Sequence, residues 1–560
     1  MQDFAFPSGR LGVLSRTARR ASVLLACMAV LGTPALAADV DTLTFAASGL
    51  SPYAPDCNGG SRIGKLFADE EVEPFVAGNP RNPLNLVGVW QQDRWSSGGS
   101  RGVGTGYTFD GGITWHRVFL PFTRCAGGNA ANGGDYERSS DPWVSFSPNG
   151  VVHQVALTVS FNAAPDEPFT AVLASRSTDG GKTWSPTATL EADTAEVLND
   201  KTMITADPTD SNYVYAVWTR FTSATDGGIA PIAFARSVDN GAHWQATRVA
   251  YDPGPTGQTT GNRVEVLPDG TLVTLFTLID FAAETTTIQL VRSTDKGETW
   301  SGPIFIADLF ALGASDPDTG EMIRDGGELA QMAISPDGKI NVVWQDSRFS
   351  GGVRPGIALS VSTDGGASWS APVQINHDPM VAAFTPSIHV RQDGTVGVSY
   401  FDFRHNTPDP ATLLTDLWLT RSADATNWRE SRVTATFDLD RAPGSPGPFL
   451  GDYQGLASIG PIFLPFFVKT NDGHSNRDDV YAHIGLPRHQ GIADAESSGI
   501  EQQVSQFEAS LPVTKVGGTD RIAPEVTPAM RAGAWQALER SMRASIPDWD
   551  TRHAARRIGP

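Results

Sequence analysis

A chain of 560 residues with 62 acidic against 42 basic side chains carries a net charge of −20. That charge repels phosphate backbones and anionic lipid, which makes nucleic acid and membrane surfaces poor partners and favours a neutral or locally captured ligand. With Gly 57, Pro 38 and only 19% charged residues, the composition indicates many tight turns rather than long helices, so a large β protein is expected.

The first segment reads as an export signal. Arg16, Arg19 and Arg20 precede the apolar run "ASVLLACMAVLG", and Ala35 to Ala37 form a small-residue cleavage site, so residues 1–37 are expected to be removed and the product to be secreted or periplasmic. The run is too short to span a bilayer and no later run approaches about 20 residues, so the product is expected to be soluble; a monomer is the expected state. Two cysteines then remain, Cys57 in "DCNGG" and Cys125 in "RCAGG". In an oxidising compartment they are expected to form a disulfide that staples two Gly-rich loops; two free buried thiols are the alternative.

The next feature is a repeat. "TFDGGITW" begins at Thr108, and boxes of the form [ST]-x-D-x-G-x-x-W follow from Ser177, Ser237, Ser293 and Ser362, with a degenerate "SADATNW" from Ser422. A period of this size belongs to architectures built from one supersecondary unit. Each box follows an alternating stretch such as "AVLASRS" and so sits in a β-hairpin turn. The hydroxyl and Asp carboxylate can bond nearby backbone N–H groups, Gly supplies a positive φ, and Trp folds back as a plug. The boxes are therefore structural, and Asp179 or Asp295 should not be catalytic acids.

Between boxes runs a second pattern of apolar strand, Pro-Asp-Gly-like turn and apolar strand, as in "VEVLPDGTLVTLF" and "MAISPDGKINVVW". First strands begin near Glu73, Asp141, Lys201, Asn262, Leu329, Thr385 and Tyr453. Four antiparallel strands per unit, repeated radially, predict an all-β β-propeller over residues 38–487, with seven blades favoured over six. The last unit lacks a fourth strand, and "DTLTFAAS" at Asp41 to Ser48 is the segment available to close the ring. Residues 488–560 read as a polar linker and helical C-terminal tail, with Trp535, Leu538 and Met542 at helical spacing after Thr527-Pro528.

In such a blade the boxes lie on one rim, and first-strand starts and second-strand ends lie on the other. Starts carry Glu73, Asp141, "NDK" (Asp200, Lys201), Arg263, "IRDGGE" (Arg324, Asp325, Glu328) and "GDYQG" (Asp452, Tyr453). Second-strand ends carry Asp93 and Arg94, Arg220, Asp346 and Arg348, and Asp402, Arg404 and His405. A ring of Asp, Arg and Tyr suits a polar or anionic sugar, because Arg forks a carboxylate while carboxyls act as acid and base. The structural alternative is that D-x-R endings are ion pairs with a packing role.

The boxes make the chain resemble the BNR-repeat, Asp-box sialidase-like superfamily over about residues 40 to 485. That resemblance implies a propeller whose members include retaining sialidases, other glycosidases, polysaccharide lyases and non-catalytic binding proteins. For sialidases it implies an arginine triad around the substrate carboxylate, a Tyr nucleophile assisted by Glu, and an Asp acid/base. Tyr453 matches the place of the nucleophile, with Glu73 and Asp452 beside it among the catalytic candidates, and Asp93 is the preferred acid. Arg94, Arg348 and Arg404 are the triad candidates, with Arg324 and Arg220 in reserve and Asp346 and Asp402 beside them in substrate binding. The Arg-Ile-Pro signature expected near the first blade is absent, since "SRIG" at Ser61 to Gly64 lacks its Pro.

These readings converge on a secreted sialidase-like exo-glycoside hydrolase acting on an anionic or polar glycan. A polysaccharide lyase using Tyr453 with His405 or His474, and a non-catalytic glycan- or protein-binding propeller, are the alternatives. No cofactor is expected, and whether a structural calcium ion occupies the Asp-rich loops stays open.

Overall fold

A computed structural model describes residues 44–164, 167–194, 196–222, 228–444, 446–471, 478–485, 497–516, 521, 523–524 and 527–545. The export signal expected at residues 1–37 and the first residues of the expected closing segment, 41–43, fall outside them. The chain divides into two units, residues 40–485 with 511–560 and residues 1–39 with 486–510. Of the second unit, the helix Ser497–Ser510 is described.

The first unit is all-β and built on four-stranded antiparallel sheets. Leu66–Asn79, Asn82–Trp95, Ser100–Thr108 and His116–Phe119 pair in chain order, as do Arg138–Phe146, Val152–Val159, Thr170–Ser177 and Ala188–Asp193. Separate four-stranded sheets follow: Val197–Ala206, Val214–Thr222, Ile232–Ser237 and Arg248–Tyr251; then Gly257–Val266, Leu272–Asp280, Thr285–Ser293 and Ile304–Asp308; then Gln331–Ile334, Ile340–Asp346, Gly356–Ser362 and Val373–Gln374. Ala383–Val390, Val396–Asp402, Leu414–Ser422 and Asn427–Arg432 form the sixth group. In the last, Gly455–Ile459, Ile462–Thr470 and Asp478–His483 receive Thr44–Ala46 as an antiparallel fourth strand. Single-residue pairings at Glu70 with Asp478, which is parallel, and Ser100 with Ser139 join the last, first and second groups into one mixed sheet.

The turn chemistry explains why the hairpins close where they do. In the second box Ser177 Oγ donates to Asp179 Oδ1 at 2.8 Å and accepts from Gly181 N at 3.0 Å. Asp179 Oδ1 also accepts from the backbone N–H of Lys182 and Thr183 at 3.0 and 2.9 Å, and the Trp184 indole donates to Gly181 O at 3.0 Å. Gly181 holds φ 98°, and a Cβ there would stand 2.8 Å from Val87 and 3.0 Å from Tyr107, both in the preceding four-stranded group. Glycine therefore serves both the turn and the packing of one group on the next. The hydroxyl-to-Asp bond recurs in the other boxes, and the degenerate one keeps an indole bond too: Ser422 Oγ donates to Asp424 Oδ1 at 3.0 Å and the Trp428 indole to Ala425 O at 3.2 Å.

Inside, three of the second strands contribute a fully buried tryptophan whose indole N–H finds an acceptor, as burial of an indole requires. Trp90 donates to Gln92 Oε1 at 3.0 Å, Trp218 to Asn199 Oδ1 at 2.8 Å and Trp344 to Asp346 Oδ2 at 2.6 Å.

The tail does more than end the chain. Val513–Lys515 adds a strand to the edge of Asn427–Arg432, and Arg521 donates to the carbonyls of Asn376 and His377 at 2.7 and 2.9 Å. The helix Pro528–Ser545 begins where Thr527-Pro528 predicts it and lays Trp535 on Ile279 and Phe281. The side chains of Leu538 and Met542 lie outside the described residues.

Candidate functional site

One backbone device positions the site. First strands carry a register shift near their starts, and the residue at the shift takes a left-handed conformation: Glu73 at φ 55°, Asp141 at 49°, Lys201 at 54° and Thr385 at 47°. Gly261, Gly326 and Gly451 hold positive φ, 63°, 59° and 131°, at the corresponding points of the other groups. A non-glycine residue in this region is strained, and a bulge re-aims its side chain away from the pleat. Bulges of different groups touch. Lys201 N donates to Asp141 Oδ2 at 2.9 Å, Thr385 Oγ1 to Asp325 O at 3.0 Å and Glu73 N to Leu450 O at 3.3 Å, while a Cβ on Gly326 would stand 2.2 Å from Asp452 O.

The re-aimed side chains form one network. Asp452 takes a fork from Arg324, Nε to Oδ1 at 2.9 Å and Nη2 to Oδ2 at 2.6 Å, and also the Lys201 ammonium at 2.7 Å. Gln91 donates to Glu73 Oε2 and, at 2.8 Å, to Ser140 Oγ, while its own oxygen accepts from Arg94 Nη1 at 2.6 Å. Glu73 hydrogen-bonds Asp141, which also accepts from Ser140 Oγ at 2.8 Å. The Tyr453 hydroxyl donates to Pro142 O at 3.3 Å and its ring lies 5.2 Å from that of Trp143. Glu73 is 1%, Tyr453 5% and Asp452 6% exposed; Arg324, at 28% of its side chain, is the part of the network most open to solvent.

Electrostatics divide these carboxyls by role. Burial, then the charges of Asp141 and Asp452, push Glu73 up to about 8, so it keeps its proton at neutral pH. Burial works against ionisation of Asp141 too, but Lys201 and Ser140 outweigh it and hold that carboxyl below its ordinary value. Asp452 is likewise held well below the carboxylate range by Arg324 and Lys201 against the cost of burial. Burial, then Asp141, pushes Asp200 up to about 7, and burial with the charges of Glu73, Asp141 and Asp452 raises the Tyr453 phenol well above 10. A carboxylic acid and a carboxylate in contact, next to a protonated phenol, form the donor, base and hydroxyl set that acid–base chemistry requires.

Of the residues expected at the mouth, Tyr453, Glu73, Asp452, Arg324 and Arg94 come together, joined by Asp141, Asp200, Lys201 and Glu328. The remaining ones do not join them through any hydrogen bond or ion pair among the described residues. Asp93 accepts from Arg101 at 3.0 Å, Ser51 Oγ at 2.6 Å and Asp69 N at 3.0 Å, beneath the loop that the Cys57–Cys125 disulfide ties down. Arg348 is clipped to Asp346 through its backbone N–H, Nε and Nη2 at 2.8, 2.9 and 2.8 Å. Arg404 holds Asp402 Oδ2 at 2.6 Å and Glu430 Oε2 at 2.6 Å and stacks on Trp418, and Arg220 pairs with Asp193. Each second-strand Asp thus serves an arginine of its own neighbourhood, the packing role the D-x-R pattern also allows. His405 bonds Asp416 at 2.6 Å rather than Tyr453, and His474 lies outside the described residues. Asp141, Asp200, Lys201 and Glu328 stand at the same first-strand starts as Glu73, which was the available signal for them. Among the described residues no three His, Cys, Asp or Glu are grouped to hold a metal ion.

Residues 107–117 and 175–186 match the family model described as BNR/Asp-box repeat. The chain therefore carries BNR/Asp-box repeats. No curated protein matches it. Among solved structures it is similar to a Hadza microbial sialidase, Hz136, at 14% identity and TM-score 0.41, over 77% of this chain and 91% of that one. It is similar to the α-L-arabinofuranosidase Arb93A of Fusarium graminearum at 14% identity and TM-score 0.40, over 64% and 93%, and to a Dyadobacter fermentans protein of unknown function at 14% and 0.41, over 64% and 94%.

Proposed function

We propose that this chain is an exported glycoside hydrolase built on a seven-bladed propeller, with its active centre where the first strands begin. The seven groups of four strands, the touching bulges and the added strand Thr44–Ala46 support the ring. The Arg-rich, apolar, Ala-x-Ala order of the first 37 residues and the Cys57–Cys125 disulfide support export.

The observation that carries the reading is the proton held on Glu73 beside the ionised Asp141 and the hydroxyl of Tyr453. Glu73 is positioned to protonate the leaving glycosidic oxygen in place of Asp93, whose carboxylate is committed to Arg101. Tyr453 attacks the anomeric carbon as its proton passes to a carboxylate, with Asp141 the ionised base whose charge weighs most on the phenol; water then releases the sugar. The raised phenol makes this coupled proton loss necessary, because the free phenolate is inaccessible at neutral pH. Reducing-end release from a glycan panel tests the proposal: wild type should release sugar, Glu73→Gln and Tyr453→Phe should lose at least 100-fold, a magnitude typical of acid–base groups, and equal rates in all three would refute it.

One observation favours a second reading, a non-catalytic glycan-binding propeller: Arg324 and Lys201 both neutralise Asp452 within a network that is almost wholly buried. Binding without release in the same panel would select it.

A further inference from the structure

We propose that the glycan taken at this mouth is neutral, a hydroxyl-rich sugar without a carboxylate; the inference rests on the glycoside-hydrolase reading and specifies its substrate. A substrate carboxylate needs a cation with a free fork. Here the two cations nearest solvent, Arg324 and Lys201, are taken up from within. Arg324 gives Nε and Nη2 to Asp452, and Lys201 spends its ammonium on the same carboxylate at 2.7 Å. Arg94 is 2% exposed and gives Nη1 to Gln91. The arginines outside the network, Arg348, Arg404 and Arg220, are each occupied by an aspartate.

An incoming carboxylate would therefore have to evict Asp452 from its two cations, leaving that buried group charged and unpaired, which costs more than the new pair returns. The charge count points the same way. Glu73, Asp141, Asp200, Glu328 and Asp452 face Arg94, Lys201 and Arg324, so the ionised Asp141 and Asp452 and the partly ionised Asp200 offset most of the cationic charge, and the chain's net charge of −20 repels an anion before it arrives. Hydroxyl groups meet none of these costs, since they donate to carboxylates and accept from cations without displacing either. Arg94 Nε, a buried donor with no partner among the described residues, is suited to one such oxygen.

The test has two arms, both with the full mature chain. Hydrolysis is followed on 4-methylumbelliferyl glycosides of neutral pentoses and hexoses, of sialic acid and of glucuronic acid; binding is followed on an array of neutral and acidic glycans with Glu73→Gln. Turnover or binding confined to neutral sugars is expected. Turnover of the sialoside or glucuronide in preference to every neutral glycoside overturns the inference and leaves the hydrolase reading standing. Array binding of neutral glycans with no turnover of any substrate by wild type does the reverse. Asp452→Asn, which releases Arg324 and Lys201, should gain at least tenfold in affinity for the acidic glycans relative to the neutral ones, and a variant that folds without that gain also overturns it.

Discussion

Glu73 is the residue on which the proposed chemistry depends, and its proton has a measurable thermodynamic signature. In the unfolded chain a glutamate titrates near about 4.3, whereas burial, Asp141 and Asp452 raise it to about 8 in the folded protein. Between those values the native state retains a proton that the unfolded state has released, so this group makes stability fall as pH rises from about 5 to about 8. Glu73→Gln removes that titration and keeps the hydrogen bonding, so denaturant melts at pH 5 and pH 8 should differ less for the variant than for wild type. An unchanged difference would mean that Glu73 ionises normally. Asp179 makes the opposite case. Its carboxylate accepts from two backbone N–H groups and two hydroxyls in an exposed turn, so Asp179→Ala should cost about 1–3 kcal/mol in stability and leave turnover per folded molecule unchanged. Lost turnover with full stability would show that the box has a chemical role.

At the scale of elements, what could be read from the sequence and what could not separate by range. The boxes are legible because every bond that makes them lies within eight residues, so Ser177, Asp179, Gly181 and Trp184 announce the turn by spacing alone. The start of the helix Pro528–Ser545 is legible for the same reason. The network is not, because Lys201 and Asp452 are 251 residues apart and no local pattern tells which Asp meets which cation. The endings at Asp346 and Arg348 or Asp402 and Arg404 therefore read equally well as ligands and as clips; geometry makes them clips. The left-handed bulges at Glu73, Asp141 and Lys201 left no sequence mark either, since none is glycine. Edge strands supply a prediction at this scale. Thr44–Ala46 covers the edge of Asp478–His483, so a chain begun at Ser48 should melt at lower temperature and aggregate through the bared edge. An unaltered melt and a monomeric elution profile would show that this strand adds nothing.

For the whole molecule, the disulfide and the network act separately. Cys57–Cys125 closes a 68-residue separation and ties the loop carrying Ser51 over Asp93 and Arg101. Loop closure of that length is worth about 4 kcal/mol, so Cys57→Ser should lower the denaturant midpoint without altering the pH dependence contributed by Glu73. A midpoint equal to that of the oxidised protein would remove the disulfide from the account. The central claim, that the meeting point of Glu73, Asp141, Asp452 and Tyr453 hydrolyses a glycosidic bond, is tested most directly by release of reducing ends from a glycan panel by wild type, Glu73→Gln and Asp179→Asn at matched folded concentration. The account predicts release by wild type and Asp179→Asn and its loss in Glu73→Gln; release by Glu73→Gln at the wild-type rate would contradict it.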